Sequence, residues 1–216
     1  MNSKIYNVVI LDKSGSMTSI RKQAVDSVNE TFGCIRSMRK KNAEQEQFVT
    51  LVAFCGCEQK VVYENAPIEK VNNITLADYE PCCMTPLYDA IGNVCTRLHT
   101  TVKDDESASV AVTIVTDGYE NASRRYDYER VRRMIERQKE KYGWEFLFLG
   151  ANIDAAKEAA RFGIGADRSV NYKCDEEGTA LNYEVISAAV CSVRSAQPLS
   201  ADWKRRIDED VQKRGR

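Results

Sequence analysis

Two runs constrain this chain more than anything else in it. IYNVVIL at 5–11 and SVAVTIVT at 109–116 are apolar on both faces, and each runs straight into an aspartate, Asp12 and Asp117. A short apolar run without polar alternation reads as a strand buried on both sides. Such a strand needs cover on both sides, and the segments between supply it. Residues 19–41 carry Ile20, Ala24, Val28, Phe32 and Ile35 at three- and four-residue spacing, the pattern of an amphipathic helix. Further helices are expected at 85–98, 126–142, 153–162 and 177–193, and further strands at 48–55, 59–64, 144–149 and 168–171. Thr85 reads as an N-cap and Pro86 as the first helical residue. Strands 48–55 and 59–64 are separated only by a link containing Gly56, too short for a parallel crossover, so they must form an antiparallel hairpin. Together these elements predict a doubly wound, mostly parallel six-stranded α/β sheet with one antiparallel edge strand.

At 216 residues, with no internal repeat, low-complexity stretch or linker, the chain is expected to form one domain over 1–194 followed by a polar tail at 195–216. Trp203 could dock that tail on the domain, or the tail could fray. Lys+Arg number 31 and Asp+Glu 32, a formal net charge of -1, which speaks against a nucleic-acid or membrane-surface protein. Residues 124–141 hold eight basic and four acidic residues, which reads as a solvated helix face. The start of the chain is polar, its apolar run Val8–Leu11 is too short for a signal segment, and no stretch approaches the ~20 apolar residues of a membrane span. The expectation is a cytoplasmic protein whose eight cysteines are mostly reduced and packed as small hydrophobes. Cys34, Cys95 and Cys191 fall on expected helices and read as core. Cys55-Gly56-Cys57 and Cys82-Cys83 lack the two-to-four-residue spacing usual for zinc, and a four-thiolate site would need the hairpin tip and the Pro81 loop to meet. They too read as packing residues. A single histidine, His99, excludes zinc sites built on two or more, and its place near a helix end suits a solvated imidazole.

In a doubly wound sheet, function sits beyond the carboxyl ends of the strands. Asp12-Lys13-Ser14-Gly15-Ser16 follows the first strand, Asp117-Gly118 follows the strand at 109–116, and Thr85 opens a helix on the same edge. Asp12, Ser14, Ser16, Thr85 and Asp117 are all short and all end in oxygen. Two carboxylates and three hydroxyls make a hard-cation site, suited to Mg²⁺ or Mn²⁺ ahead of Ca²⁺, and unlike Zn²⁺, which wants Cys or His. The same serines and Thr85 could also simply cap helices, but capping leaves Asp117 unexplained.

Asp12-x-Ser14-x-Ser16, a distant Thr85 and a later Asp117 resemble the metal-ion-dependent adhesion site of von Willebrand factor type A (vWA) domains. The resemblance covers about residues 4–193, in element order as well as motif. It implies a sheet order of 3-2-1-4-5-6 with the third strand antiparallel. It also implies hydroxyl ligands from Ser14, Ser16 and Thr85, with Asp12 and Asp117 bound directly or through water. An acidic side chain of a partner protein would then complete the ion's shell. TDGYENAS and WEFLFLGANIDA look most like bacterial, intracellular, single-domain vWA proteins, some encoded beside tellurium-resistance genes. One departure stands out: the loop before Thr85 is usually glycine-rich in that family, and here reads Pro81-Cys82-Cys83-Met84. Lys13, Tyr119, Glu120 and Asn121 ring the expected ion and are expected to shape partner choice.

An enzymatic alternative starts from the same Asp12. An aspartate directly after the first strand also describes phosphotransferases of the haloacid-dehalogenase type, which resemble DxDx[TV] with the second Asp as general acid. Ser14 holds that second position here and cannot donate a proton at a useful pKa. No GxxxxGK[ST] phosphate loop occurs. The sequence therefore favours a non-enzymatic binding module, with no nucleic-acid or membrane partner.

Overall fold

The structure is a computed structural model that describes residues 3–151, 153–172, 177, 178, 181, 185 and 201–214. Its centre is a six-stranded sheet in the order β3-β2-β1-β4-β5-β6. The strands are β1 (Ser3–Asp12), β2 (Gln45–Phe54), β3 (Gln59–Pro67), β4 (Ala108–Thr116), β5 (Glu145–Ala151) and β6 (Ser169–Tyr172). Only β3 runs antiparallel, against β2, as the short hairpin link requires. The expected doubly wound α/β architecture is what forms. The helices are α1 (Arg21–Lys41), α2 (Leu87–Val102), α3 (Tyr128–Tyr142), α4 (Ala155–Arg161) and α5 (Arg205–Arg214).

Period-2 alternation sorts the strand side chains into two cores. Val9, Leu11, Leu51, Val115 and Leu149 face α1 through Val28, Phe32 and Ile35. Val8, Ile10, Val52, Ile114 and Phe148 face α2, α3 and α4 through Ile91, Ile135 and Phe162. Both layers are dry: Phe32, Ile10, Ile114 and Phe148 are each 0% exposed.

Most boundaries shift by a few residues from the sequence reading, and three of the shifts have clear local reasons. A 3₁₀ turn (Gly15–Ile20) precedes α1, because the chain must turn sharply away from β1 before a full helix can start. Helix α2 begins at Leu87, and Thr85 makes no capping bond. The free N–H groups of its first turn are met from elsewhere: Glu120 Oε2 accepts from Tyr88 at 2.8 Å and Ser123 Oγ from Asp89 at 3.0 Å. Helix α3 starts where Asp127 accepts from the Arg130 amide and stops at Gly143, whose φ of 64° is the left-handed turn expected after a helix.

Most of the helix expected at 177–193, the boundary at 194 and Cys191 lie outside the described residues. The described part of the tail is helical and docked. Ile207 of α5 is 1% exposed in the same core as Val170 and Tyr172. The Trp203 indole N–H donates to the Asp167 carbonyl, and Lys204 donates to the carbonyls of Ala166 and Ser169. His99 is not a solvated imidazole. It is half-buried edge-on against Tyr142 with ring centroids 4.7 Å apart, and burial lowers its pKa. Among the described residues, no helix is long and apolar enough to cross a membrane.

Candidate metal centre

The sheet order reverses direction between β1 and β4, and the carboxyl ends of those two strands lie side by side. Asp12 is the last residue of β1, and Asp117 follows the last residue of β4. The crevice predicted by the strand-end rule therefore opens between these two aspartates.

Each carboxylate accepts a hydroxyl from across the crevice, and Asp12 also accepts an amide from its own loop. One Asp12 oxygen accepts from the Ser14 amide at 2.7 Å, and the other from Thr116 Oγ1 at 2.6 Å. Asp117 Oδ1 accepts from Ser16 Oγ at 2.5 Å, and Ser16 Oγ lies 3.2 Å from Ser14 Oγ. Thr85 Oγ1 and Ser16 Oγ flank Gly118: a Cβ placed there would sit 3.3 Å from the first and 3.8 Å from the second. The structure thus gathers Asp12, Ser14, Ser16, Thr85 and Asp117 into one cluster. Ser14 occupies the cap position of the 3₁₀ turn but makes no side-chain capping bond, so its hydroxyl is directed to the cluster.

The electrostatics are unbalanced. Burial pushes the Asp12 carboxyl up to about 6, against the lowering effect of its bonds from Thr116 and Ser14. Burial raises the Asp117 carboxyl too, with Ser16 opposing. Among the described residues no basic side chain pairs with either. Lys13 is adjacent, but its ammonium pairs with Glu58. Two buried carboxylates with hydroxyls and no cation form a donor set that a hard divalent ion fits.

Sequence reasoning missed several supports. Thr116 orients Asp12, and the Tyr79 hydroxyl donates to the Asp12 carbonyl at 2.5 Å. Thr116 stands directly before Asp117 at the strand end and Tyr79 in an irregular stretch, and neither place in the sequence names Asp12 as the partner. Two residues expected to shape partner choice are spent on structure. Glu120 accepts from the amides of Tyr88, Ala122 and Ser123, and Asn121 Oδ1 from the amide of Thr85. What the rim offers outward is Tyr119, 53% exposed, and Met84, 51% exposed.

The cysteines correct the sequence reading most. The hairpin tip and the Pro81 loop do meet. Cys57 and Cys83 are disulfide-bonded, and Cys55 Sγ lies 2.9 Å from Cys82 Sγ. Cys57 and Cys83 are exposed and Cys34 and Cys82 half-buried, so among the described cysteines the expectation of reduced, buried packing residues holds only for Cys55 and Cys95. Two segments far apart in sequence became neighbours through main-chain hydrogen bonds that spacing rules do not see.

No family model and no curated protein matches this sequence. Solved structures do match its fold. The vWF domain of the type V pili tip protein Mfa5 from Porphyromonas gingivalis superposes with a TM-score of 0.60 at 9% identity, over 88% of this chain and 97% of that one. Manganese-loaded TRAP protein of Plasmodium vivax gives 0.53 at 15% identity, over 83% of this chain and 72% of that one. Proximal thread matrix protein 1 from the mussel byssus gives 0.60 at 12% identity over 88% of this chain, which spans 46% of that protein. The fold is vWA-like.

Proposed function

We propose that this chain is a metal-dependent protein-binding module of the vWA class. Asp12, Ser14, Ser16, Thr85 and Asp117 would hold Mg²⁺ or Mn²⁺, and the ion would accept an Asp or Glu of a partner protein. The observation that carries this reading is the pair of buried carboxylates, each hydrogen-bonded to hydroxyls and neither matched by a cation. A dication supplies the missing positive charge when bound. Because three of the five side chains are neutral hydroxyls, the ion would keep an affinity for one more anionic oxygen from outside. Exposed Tyr119 and Met84 offer an apolar rim to partner residues that flank the incoming carboxylate.

The reading is of a binding site, not an enzyme. Ser14 stands where a phosphotransferase of the Asp-nucleophile type needs its general acid, and its hydroxyl is engaged with Ser16. TDGYENAS and WEFLFLGANIDA support placing the chain with bacterial, cytoplasmic, single-domain proteins of the tellurium-resistance-associated type. That the TRAP structure is manganese-loaded supports a divalent ion in this fold.

The test is calorimetric titration of Mg²⁺ and Mn²⁺ into the wild-type chain and into Asp12→Ala and Asp117→Ala. A peptide array of single Asp and Glu substitutions is then probed with metal and with chelator. One ion per chain, lost in both variants, with metal-dependent retention on acidic peptides, is the expected result. Absence of ion binding in the wild type sinks the proposal, and metal-dependent phosphate release that Asp12→Ala abolishes replaces it with the enzyme.

A further inference from the structure

Beside the oxygen cluster lies a second donor set of opposite chemistry. Cys55 and Cys57 flank Gly56 at the β2–β3 hairpin tip, and Cys82 and Cys83 stand just before Met84-Thr85. The sulfurs of Cys55, Cys57 and Cys82 all lie within 4.8 Å of one another, the one such group of three or more Cys, His, Asp or Glu among the described residues. Cys83 Sγ is bonded to Cys57 Sγ and so adjoins this group from outside its three-sulfur cluster.

The main chain does the gathering. Gly56 N–H donates to the Met84 carbonyl at 2.8 Å, Cys82 N–H to the Lys13 carbonyl at 2.8 Å, and Gly15 N–H to the Cys83 carbonyl at 3.1 Å. A Cβ at position 56 would press to 3.2 Å from the Met84 nitrogen, so glycine is what lets the two segments touch. None of these contacts uses sulfur, so the hairpin tip and the Pro81 loop are held together by the main chain as well as by the disulfide. Cys83 itself has a φ of 60°, a left-handed conformation that glycine adopts without strain and cysteine does not. A side chain kept at such a position points to a use for it.

Two separate disulfides would require sulfurs to meet in two pairs, with no need for the pairs to adjoin. A single tetrahedral ion requires all four together. With Zn–S bonds of about 2.3 Å, tetrahedral geometry sets neighbouring sulfurs about 3.8 Å apart, a spacing of the same order as this cluster. Four thiolates on a dication carry a net charge of minus two. The ammonium of Lys13, paired with Glu58, also lies close enough to act electrostatically on Cys55 and Cys82.

We propose that in the reduced chain Cys55, Cys57, Cys82 and Cys83 form a tetrahedral Zn²⁺ site that staples the hairpin tip to the loop carrying Thr85. Opening the Cys57–Cys83 bond takes two electrons and two protons from a thiol reductant, which leaves as its own disulfide. Binding then releases one proton from each of the four thiols to solvent, with no electron transferred. The ion would fix the route of the Pro81–Met84 loop, and with it the position of Thr85 at the neighbouring oxygen cluster. The site does not depend on that cluster being occupied.

The experiment is metal analysis of the full chain purified in a phosphine reductant without chelator, followed by exchange of Co²⁺ and its visible spectrum. One zinc per chain and the absorption bands of a tetrahedral cobalt–thiolate centre are expected, in the wild type and equally in Asp12→Ala. Cys57→Ser with Cys83→Ser, both at exposed positions, should take the stoichiometry from one to none while circular dichroism stays unchanged. If that variant unfolds, chelator removal of zinc from the wild type, read by thiol titration rising to four accessible groups at this locus, replaces it. A reduced wild-type chain that takes up neither zinc nor cobalt overturns the proposal, even if mild oxidation restores disulfides. So does zinc retained after all four cysteines are replaced. Mg²⁺ binding without zinc would remove this site and leave the proposed function standing; zinc without Mg²⁺ would do the reverse.

Discussion

Asp12 decides more than any other residue in this chain. It ends the central strand, is 0% exposed, and its carboxyl is raised to about 6 chiefly by burial. A carboxyl whose folded pKa lies above its unfolded value binds protons more tightly when folded, so folding gains stability as pH falls through that interval. The metal-free wild type should therefore gain stability relative to Asp12→Asn between pH about 6 and about 4, measured by paired thermal melts in chelator. A constant difference across that range would contradict the burial argument. Added Mg²⁺ should raise the wild-type melting temperature at pH 7 and lose that effect as pH falls through Asp12's pKa. Gly118 sets the spacing of the same cluster. Gly118→Ala puts a methyl 3.3 Å from Thr85 Oγ1, and should weaken Mg²⁺ binding by about tenfold, or ~1.4 kcal/mol, with the fold intact. Calorimetry beside a far-ultraviolet spectrum checks both halves of that statement.

At the scale of elements, helix α2 is tied to the segment after β4 by side chains that reach across sequence. Glu120 meets amides at the start of α2 and in its own loop, and Asp89 accepts from the amides of Arg124, Arg125 and Tyr126. Glu120 on the Tyr88 amide and Ser123 Oγ on the Asp89 amide replace the cap that Thr85 was expected to supply, and they leave its hydroxyl for the oxygen cluster. Glu120→Ala should cost about 1–3 kcal/mol by removing the acceptor of several part-buried donors, read as a lower urea midpoint with unchanged slope. Retained stability would mean the loop finds other acceptors. Gly92 in α2 packs under Tyr126 so closely that a Cβ would fall 2.5 Å from the ring. That contact fixes how near α2 lies to the segment leading into α3.

At the scale of the molecule, the sheet supplies rigidity and the strand ends supply the site. The core on the α1 side is continuous from β3 to β6, the other runs from β2 to β5, and α5 closes the far edge by burying Ile207 against β6. Ile207→Ala should destabilise the chain by about 2–4 kcal/mol through lost burial and the cavity left. Equilibrium unfolding checks it, and an effect under ~1 kcal/mol would show that α5 is an appendage on a fold complete without it.

What the sequence by itself determined is what local periodicity and residue type can carry. Two apolar faces on 5–11 and 109–116 required central strands, the Gly56 link required a hairpin, and the order of strand-ending oxygens marked Asp12, Ser14, Ser16, Thr85 and Asp117 as one set. These follow from period, length and chemistry within a few residues of each position. The supports did not follow. Thr116 on Asp12, Tyr79 under Asp12, Glu120 on α2 and the docking of α5 all join residues distant in sequence. Only the tertiary structure could decide them, because nothing local selects the partner. The four cysteines show the difference most plainly. Their spacing argued against a common site, and main-chain hydrogen bonds between the hairpin tip and the Pro81 loop brought them together.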